Sequence, residues 1–210
     1  MRLYSAWRAS GPYRLRIALN LKGLPFDYVP VDLVAGEQRG DAYKAVNAQA
    51  LVPSLEVDGE VMTQSVAILE WLEETYPQPA LLPSDPLDRQ RVRSMCNIIA
   101  CDIHPVNNLR ILKALAAMGI DEAGRNAWVA RWIDEGFAAL EPMIARHGDG
   151  FAFGAAPTMA DCVLVPQIYN ARRFGVDLTP YPALLAAGEA ALAHPAFAAA
   201  HPDLQPDAKV

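Results

Sequence analysis

The sequence predicts an α/β unit followed by an all-α one, and three observations carry that expectation. Over the first eighty residues the hydrophobic period switches repeatedly between strand and helix spacing. Pro77, Pro79, Pro83 and Pro86 then fall within ten residues, a density that marks a connector. Beyond it, every periodic segment has helical spacing. The expected division is residues 1–80, a linker over 81–86, and a helical domain over 87–210. With 210 residues, 52% of them hydrophobic, the chain can bury a sizeable core.

In the first unit, Leu3 and Tyr4 open a strand that runs into Trp7-Arg8-Ala9-Ser10-Gly11-Pro12-Tyr13. Proline fits the first position of a helix, where its missing N–H is not needed, so Ser10 or Gly11 is the expected cap. The orphan N–H groups and positive dipole end of such a helix favour a bound anion. A helix over 13–22 follows, with Leu15, Ala18 and Leu19 on one face and Gly23 placed to end it. A second strand is read over 26–33, then a polar loop from Ala35 to Gly40 that could cover a ligand, and a short helix over 42–46. Asp58-Gly59 between Ser54-Leu55-Glu56-Val57 and Glu60-Val61-Met62 is a hairpin signal. Helical spacing returns through Ile68, Leu69 and Leu72 and stops before Pro77.

In the second unit, Asp85-Pro86 caps and starts a helix with Val92, Met95, Cys96, Ile99 and Ile103 inward, interrupted at Pro105. Asp121 caps another, whose stripe of Trp128, Trp132, Ile133, Phe137, Leu140 and Ile144 reads as core. Thr158-Met159-Ala160-Asp161 has the spacing of a capping box, which makes Asp161 structural. Two further helices are expected over 182–193 and 195–200.

Twenty-four acidic against eighteen basic side chains leave a net charge of −6, so no global basic field draws the chain to nucleic acid or an anionic membrane. The opening Met1-Arg2-Leu3-Tyr4 lacks the apolar core of a signal peptide, and no run reaches ~18 uncharged apolar residues. A cytoplasmic protein is expected. Cys96, Cys101 and Cys162 form no CxxC and read as reduced thiols. His104, His147, His194 and His201 show no metal-ligand spacing, so no metal site is expected.

Taken in order, Trp7-Arg8 through Leu19, Leu51-Val52-Pro53, Gln64-Ser65-Val66-Ala67-Ile68, Cys101-Asp102-Ile103-His104-Pro105, Thr158 to Asp161, Leu164-Val165-Pro166-Gln167 and Asp177-Leu178-Thr179-Pro180-Tyr181-Pro182 resemble the glutathione transferase superfamily. Within it, the last run is similar to the zeta class of maleylacetoacetate and maleylpyruvate isomerases. The resemblance implies a thioredoxin-like glutathione-binding domain, an all-helical domain that completes the substrate site, a homodimer, and glutathione as cofactor. It implies that Pro53 is cis and that Val52 presents its backbone to the peptide part of glutathione, a form of strand addition. It further implies that Gln64 and Ser65 hold the γ-glutamyl carboxylate, Ser65 also capping its helix.

The opening turn departs from the family pattern. Where zeta enzymes carry Ser-Ser-Cys this chain reads Ala9-Ser10-Gly11, so only Ser10 keeps a side chain able to stabilise a thiolate. Either Ser10 supplies that donor or the backbone N–H groups of residues 10–13 do; otherwise Ser10 only caps and Tyr13 only packs. The implied reaction is thiolate addition to a cis double bond, rotation, and elimination to the trans acid. Arg8 precedes the turn, while Arg173, His104, Asn108 and Arg110 resemble the family's substrate-binding residues. Arginine suits a carboxylate because it can bind it through two parallel hydrogen bonds. Arg173 is expected to point inward with Arg172 on the surface, Arg14 and Arg16 to be solvated or structural, and His104 has a core role as its alternative. Two other readings keep the scaffold: a transferase or dehalogenase acting on small α-halo acids, and a glutathione-binding module without catalysis.

Overall fold

The computed structural model describes residues 1–209, and its chain divides into two compact units. The first comprises Met1–Leu81 together with Ala193–Val210, and the second Leu82–Leu192. The carboxy-terminal segment, assigned from sequence to the helical domain, therefore departs from that assignment; its final residue, Val210, lies outside the described residues.

The first unit contains β1 (Arg2–Ser5), α1 (Ser10–Leu21), β2 (Asp27–Pro30), α2 (Asp41–Val46), β3 (Ser54–Val57), β4 (Glu60–Thr63) and α3 (Ser65–Thr75). The sheet order is β2-β1-β3-β4, with β1 parallel to β2 and antiparallel to β3, and β3 antiparallel to β4. The β2 reading over 26–33 contracts to four residues, because Asp32 turns its carboxylate back onto the N–H groups of Val34 and Ala35 and ends the extended chain. Asp58 and Gly59 both have positive φ, 51° and 86°, which is the twist that a two-residue hairpin requires.

α1 is buried from Ser10 to Leu19, so it is the central helix of this unit rather than an amphipathic one on its surface. That places two arginines inside. Arg14 is 2% exposed and Arg16 is 1% exposed, which removes the solvated reading for both and leaves the structural one. Arg16 donates to the carbonyls of Trp7 and Ala200 and to the Ser5 hydroxyl, and lies over the Tyr13 ring. Asn20 donates to the Ala196 carbonyl. These bonds explain why the carboxy-terminal segment belongs here: buried donors on α1 find their acceptors on it. At the far end of α1, Lys22 Nζ sits 3.1 Å from Glu73 Oε2 and also donates to the Tyr76 and Pro79 carbonyls.

The second unit contains α4 (Pro86–Asn97), a π-helical segment (Ile98–Ile103), α5 (Leu109–Ala117), α6 (Glu122–His147), α7 (Met159–Arg173) and α8 (Pro182–Ala193); α9 (Pro195–Ala199) lies in the first unit. Asp85 caps α4 through the Leu87 and Asp88 amides, with Pro86 first in the helix. The turn of π-helix was not legible in the apolar spacing, since Ile99 and Ile103 are buried in either winding. Ile103 reaches α6 at Gly136, where a Cβ would lie 2.3 Å from its Cδ1. Trp128 and Trp132 are half-buried rather than core. They flank the buried stripe of Val129, Ile133, Phe137 and Leu140, pair edge to face at 5.6 Å, and Trp128 Nε1 donates to the Val106 carbonyl.

The capping box is complete. Asp161 accepts from the Thr158 N–H and hydroxyl and from the Ala152 N–H, so it also pins the loop before α7. Burial pushes its carboxyl up to about 6 despite those donors. The Asp177 to Pro182 run likewise proves structural. Asp177 Oδ1 accepts from the Thr179 N–H and hydroxyl, the Tyr181 hydroxyl bonds Asp134 on α6, and Glu141 caps the first turn of α8.

Candidate active site

The first turn of α1 collects the candidate residues of the amino-terminal unit. Ala9 is the N-cap, in extended conformation with no side-chain cap bond, and Ser10 is the first helical residue. Neither Ser10 nor Gly11 caps the helix, contrary to the expectation, because the chain enters one residue earlier. The Ser10 hydroxyl is accordingly not committed to capping. Of the backbone donors considered, Pro12 has none, and the Tyr13 N–H is spent on the Ala9 carbonyl at 3.1 Å. The orphan donors of this first turn reduce to the Ser10 and Gly11 N–H groups, with the Ser10 hydroxyl beside them.

Gly11 brings this turn against the second motif. A Cβ at Gly11 would lie 2.8 Å from Pro53 Cδ and 3.3 Å from the Val52 carbonyl oxygen, and the Val52-Pro53 bond is cis. A side chain here would force the Val52-Pro53 loop to shift, and glycine permits the close approach. The 52–53 loop is held from behind by residues the sequence reading did not single out. Tyr43 Oη and Asn47 Nδ2 both donate to the Leu51 carbonyl at 2.8 Å, and both also reach the Ser54 hydroxyl. Burial raises the Tyr43 pKa above the ordinary phenol value, which keeps its hydroxyl a donor.

One turn further along α1, Arg14 Nη1 donates to the Ser65 hydroxyl at 3.1 Å. Gly11 and Arg14 are three residues apart and share a face, so the start of α1 touches the Val52-Pro53 loop and the start of α3 together. Ser65 is 8% exposed and is the first residue of α3; the N-cap is Gln64, so Ser65 does not cap it. Gln64 is held at φ 67° and ψ 103°, an unfavourable conformation for a residue with a side chain, of the kind that clusters at ligand sites. Its Nε2 donates to Gln49 Oε1 at 2.8 Å. Gln49 is thus a candidate that sequence reasoning missed; its only signal was its place just before Leu51-Val52-Pro53.

The remaining candidates stand as follows. Arg8 is exposed, its guanidinium 5.2 Å from the Trp7 ring centroid. In the helical unit, His104 is half-buried and follows the π-helical segment, its N–H donating to the Ile99 carbonyl. Asn108 caps α5 through Oδ1 and the Arg110 N–H at 3.1 Å, which commits its carbonyl oxygen and leaves its amide nitrogen as the donor for a ligand. Arg110, in the first turn of that helix, is exposed. Arg173 does not point inward: it is exposed beside the exposed Arg172 at the end of α7 and lies over the Phe174 ring.

A helix start with unspent amides and a hydroxyl lies against a cis-proline loop and the start of a second helix, an arrangement able to bind an anion. Sequence comparison agrees. Family models for the glutathione S-transferase amino-terminal and carboxy-terminal domains match residues 12–75 and 126–202. A maleylpyruvate isomerase of a Ralstonia species is 53% identical, covering 99% of each chain. A solved holo structure of a maleylpyruvate isomerase, described as a bacterial zeta-class glutathione S-transferase, superposes with a TM-score of 0.98 at 52% identity over the whole of both chains. The maleylacetoacetate isomerase of Anaeromyxobacter dehalogenans, solved with dicarboxyethyl glutathione and citrate in its active site, is 46% identical with a TM-score of 0.89, covering 99% of this chain and 93% of its own. The chain belongs to the glutathione S-transferase family, and within it to the zeta-class maleylacetoacetate and maleylpyruvate isomerases.

Proposed function

We propose that the protein is a glutathione-dependent cis-trans isomerase that converts maleylpyruvate or maleylacetoacetate to the fumaryl isomer in the degradation of aromatic compounds. The observation that carries this reading is the convergence of Val52-Pro53, at Gly11, and Ser65, at Arg14, on the first two turns of α1 beside Ser10. Dicarboxyethyl glutathione in the Anaeromyxobacter active site supports it, being a thioether that carries two carboxyl groups.

Glutathione, when bound, supplies a thiolate that adds to the cis double bond and leaves again after rotation, so that it is regenerated. The chain's own residues divide the remaining work. Ser10, through its hydroxyl and N–H, and Gly11, through its N–H, stabilise the thiolate. Val52 and Pro53 offer backbone to the peptide part, and Gln64, Ser65 and Gln49 hold its γ-glutamyl end, where the buried Arg14 adds positive charge behind Ser65. Arg8 binds a substrate carboxylate and stabilises enolate charge, and His104, Asn108, Arg110 and Arg173 are assigned to the substrate. A cytoplasmic homodimer completes the reading, supported by cysteines suited to a reducing compartment, with Cys96 and Cys162 buried. Among the described residues, no helix is long and apolar enough to cross a membrane.

Purified protein supplied with maleylpyruvate and glutathione is expected to form fumarylpyruvate, followed by absorbance and by chromatography of the two isomers. Absence of turnover on both maleyl acids would overturn the reading.

A further inference from the structure

The turn that carries Ser10 is held from behind by a residue near the other end of the chain. Within the amino-terminal unit, the Trp7 N–H donates to Asp207 Oδ2 at 3.0 Å, and the Tyr28 hydroxyl donates to Asp207 Oδ1 at 2.5 Å. The Trp7 carbonyl accepts from Arg16 Nη2 at 2.7 Å, and Arg16 in turn donates through Nε to the Ala200 carbonyl. Just after Trp7, the Ala9 N–H closes a turn onto the Ala6 carbonyl at 3.0 Å. The N–H and the carbonyl of Trp7 are thus both tied to residues 200–207, one directly and one through a buried guanidinium. Arg8, stacked on the Trp7 ring, and the Ser10 first turn follow at once.

Asp207 takes no part in the chemistry assigned above, yet both of its oxygens are engaged, by one N–H and one O–H donor. Two donors match an ionised carboxylate, and charge-assisted bonds of this kind are shorter and stronger than neutral ones. Burial and the hydrogen bond to Asp207 also raise the Tyr28 hydroxyl well above the ordinary phenol range, so it remains a donor. A general feature of donor sites makes such anchoring matter. Thiolate stabilisation depends on donors placed near 3 Å from the charge, and misplacement by about 1 Å can cost a hundredfold in rate.

We propose that Asp207 is a positioning residue for the thiolate turn, clamping the Trp7 peptide so that the Ser10 hydroxyl and the Ser10 and Gly11 N–H groups stand where the glutathione sulfur binds. The proposal rests on the reading of that turn as the thiolate site. Its consequence is that the carboxy-terminal segment tunes the chemistry without touching glutathione or substrate.

The test compares wild type with Asp207→Ala, Asp207→Asn, Tyr28→Phe and Lys209→Ala. The readouts are exchange of the Trp7 amide by NMR without ligand, the ultraviolet thiolate titration of bound glutathione, and kcat and KM. In Asp207→Ala the Trp7 amide is expected to exchange about tenfold faster or more, and the bound thiol to titrate at higher pH. kcat is expected to fall about tenfold, with the KM for glutathione moving less than about threefold. Asp207→Asn keeps a carbonyl oxygen for the Trp7 N–H and should recover most of the loss. Tyr28→Phe removes one anchor of the carboxylate and should shift the same readouts less, which keeps the test usable if Asp207→Ala does not fold. Lys209→Ala, which removes a contact to Asp32, should behave as wild type. A wild-type thiol already depressed, with no change in a folded Asp207→Ala, would overturn the clamp alone. A wild-type thiol titrating as in free solution would overturn the reading of the turn, and the clamp with it.

Discussion

At the scale of single residues, the site turns on which donors surround one helix start. Ser10 is the first residue of α1 rather than its cap, so its hydroxyl is available to a ligand. Ser10→Ala is therefore expected to raise the pKa of bound glutathione and to lower kcat by about tenfold to a hundredfold, because one donor to the developing charge is lost while two N–H groups remain. Full thiolate formation in that variant, seen in the ultraviolet titration, would assign activation to the backbone alone. Gly11 poses a different constraint, since any side chain must displace the Val52-Pro53 loop. Gly11→Ala should cost about 1–3 kcal/mol in denaturant unfolding and weaken glutathione binding in calorimetry, through overpacking and a shifted loop. That a helix starts at this turn was legible from Ser-Gly-Pro, but the absence of room at Gly11 was not. That depends on a loop forty residues away.

At the scale of elements, two runs that marked the family in sequence prove to be joints that hold helices to their surroundings. Asp161 is the clearest, joining the first turn of α7 to the preceding loop at Ala152. Its replacement by alanine leaves those buried donors without an acceptor and should cost about 3 kcal/mol or more in unfolding free energy. The pH dependence has a definite sign. Burial raises this carboxyl from 3.8 to about 6, so between those values the folded chain holds a proton that the unfolded chain has released. Its contribution to stability is thus fully present below pH 4 and is lost as pH rises through 6. Asp161→Asn should abolish that component when denaturant midpoints of the two proteins are compared at pH 4.5 and 7. The capping box itself was legible from the four-residue spacing. Its second function, holding Ala152, was not, because a side-chain bond to a residue nine positions earlier leaves no periodic trace. The π-helical turn was hidden likewise, since both windings bury Ile99 and Ile103.

At the scale of the whole molecule, the boundary read from sequence and the boundary of the folded units differ at the carboxy end. Proline density locates the connector near residue 81, where the first unit pauses, but residues 193–210 return to that unit. Phe197 is fully buried there, and Arg16 and Asn20 of α1 find their acceptors at Ala200 and Ala196. A fragment of residues 1–81 should consequently lack fixed tertiary structure, with poorly dispersed amide resonances, and should gain dispersion when a 193–210 peptide is added. A well-dispersed spectrum from the fragment alone would contradict this. The order of elements in the first unit, the hairpin, and the helix caps at Asp85, Asp121 and Thr158 were determined by the sequence itself, because each rests on residues within a few positions of one another, whereas α5 left no reading there. Only tertiary structure decided that Arg14 and Arg16 are interior, that Arg173 is exposed, that Gln49 meets Gln64, and that Asp207 holds Trp7. Those are pairings between distant parts of the chain, and burial of a charge becomes tolerable only once folding has supplied its partners.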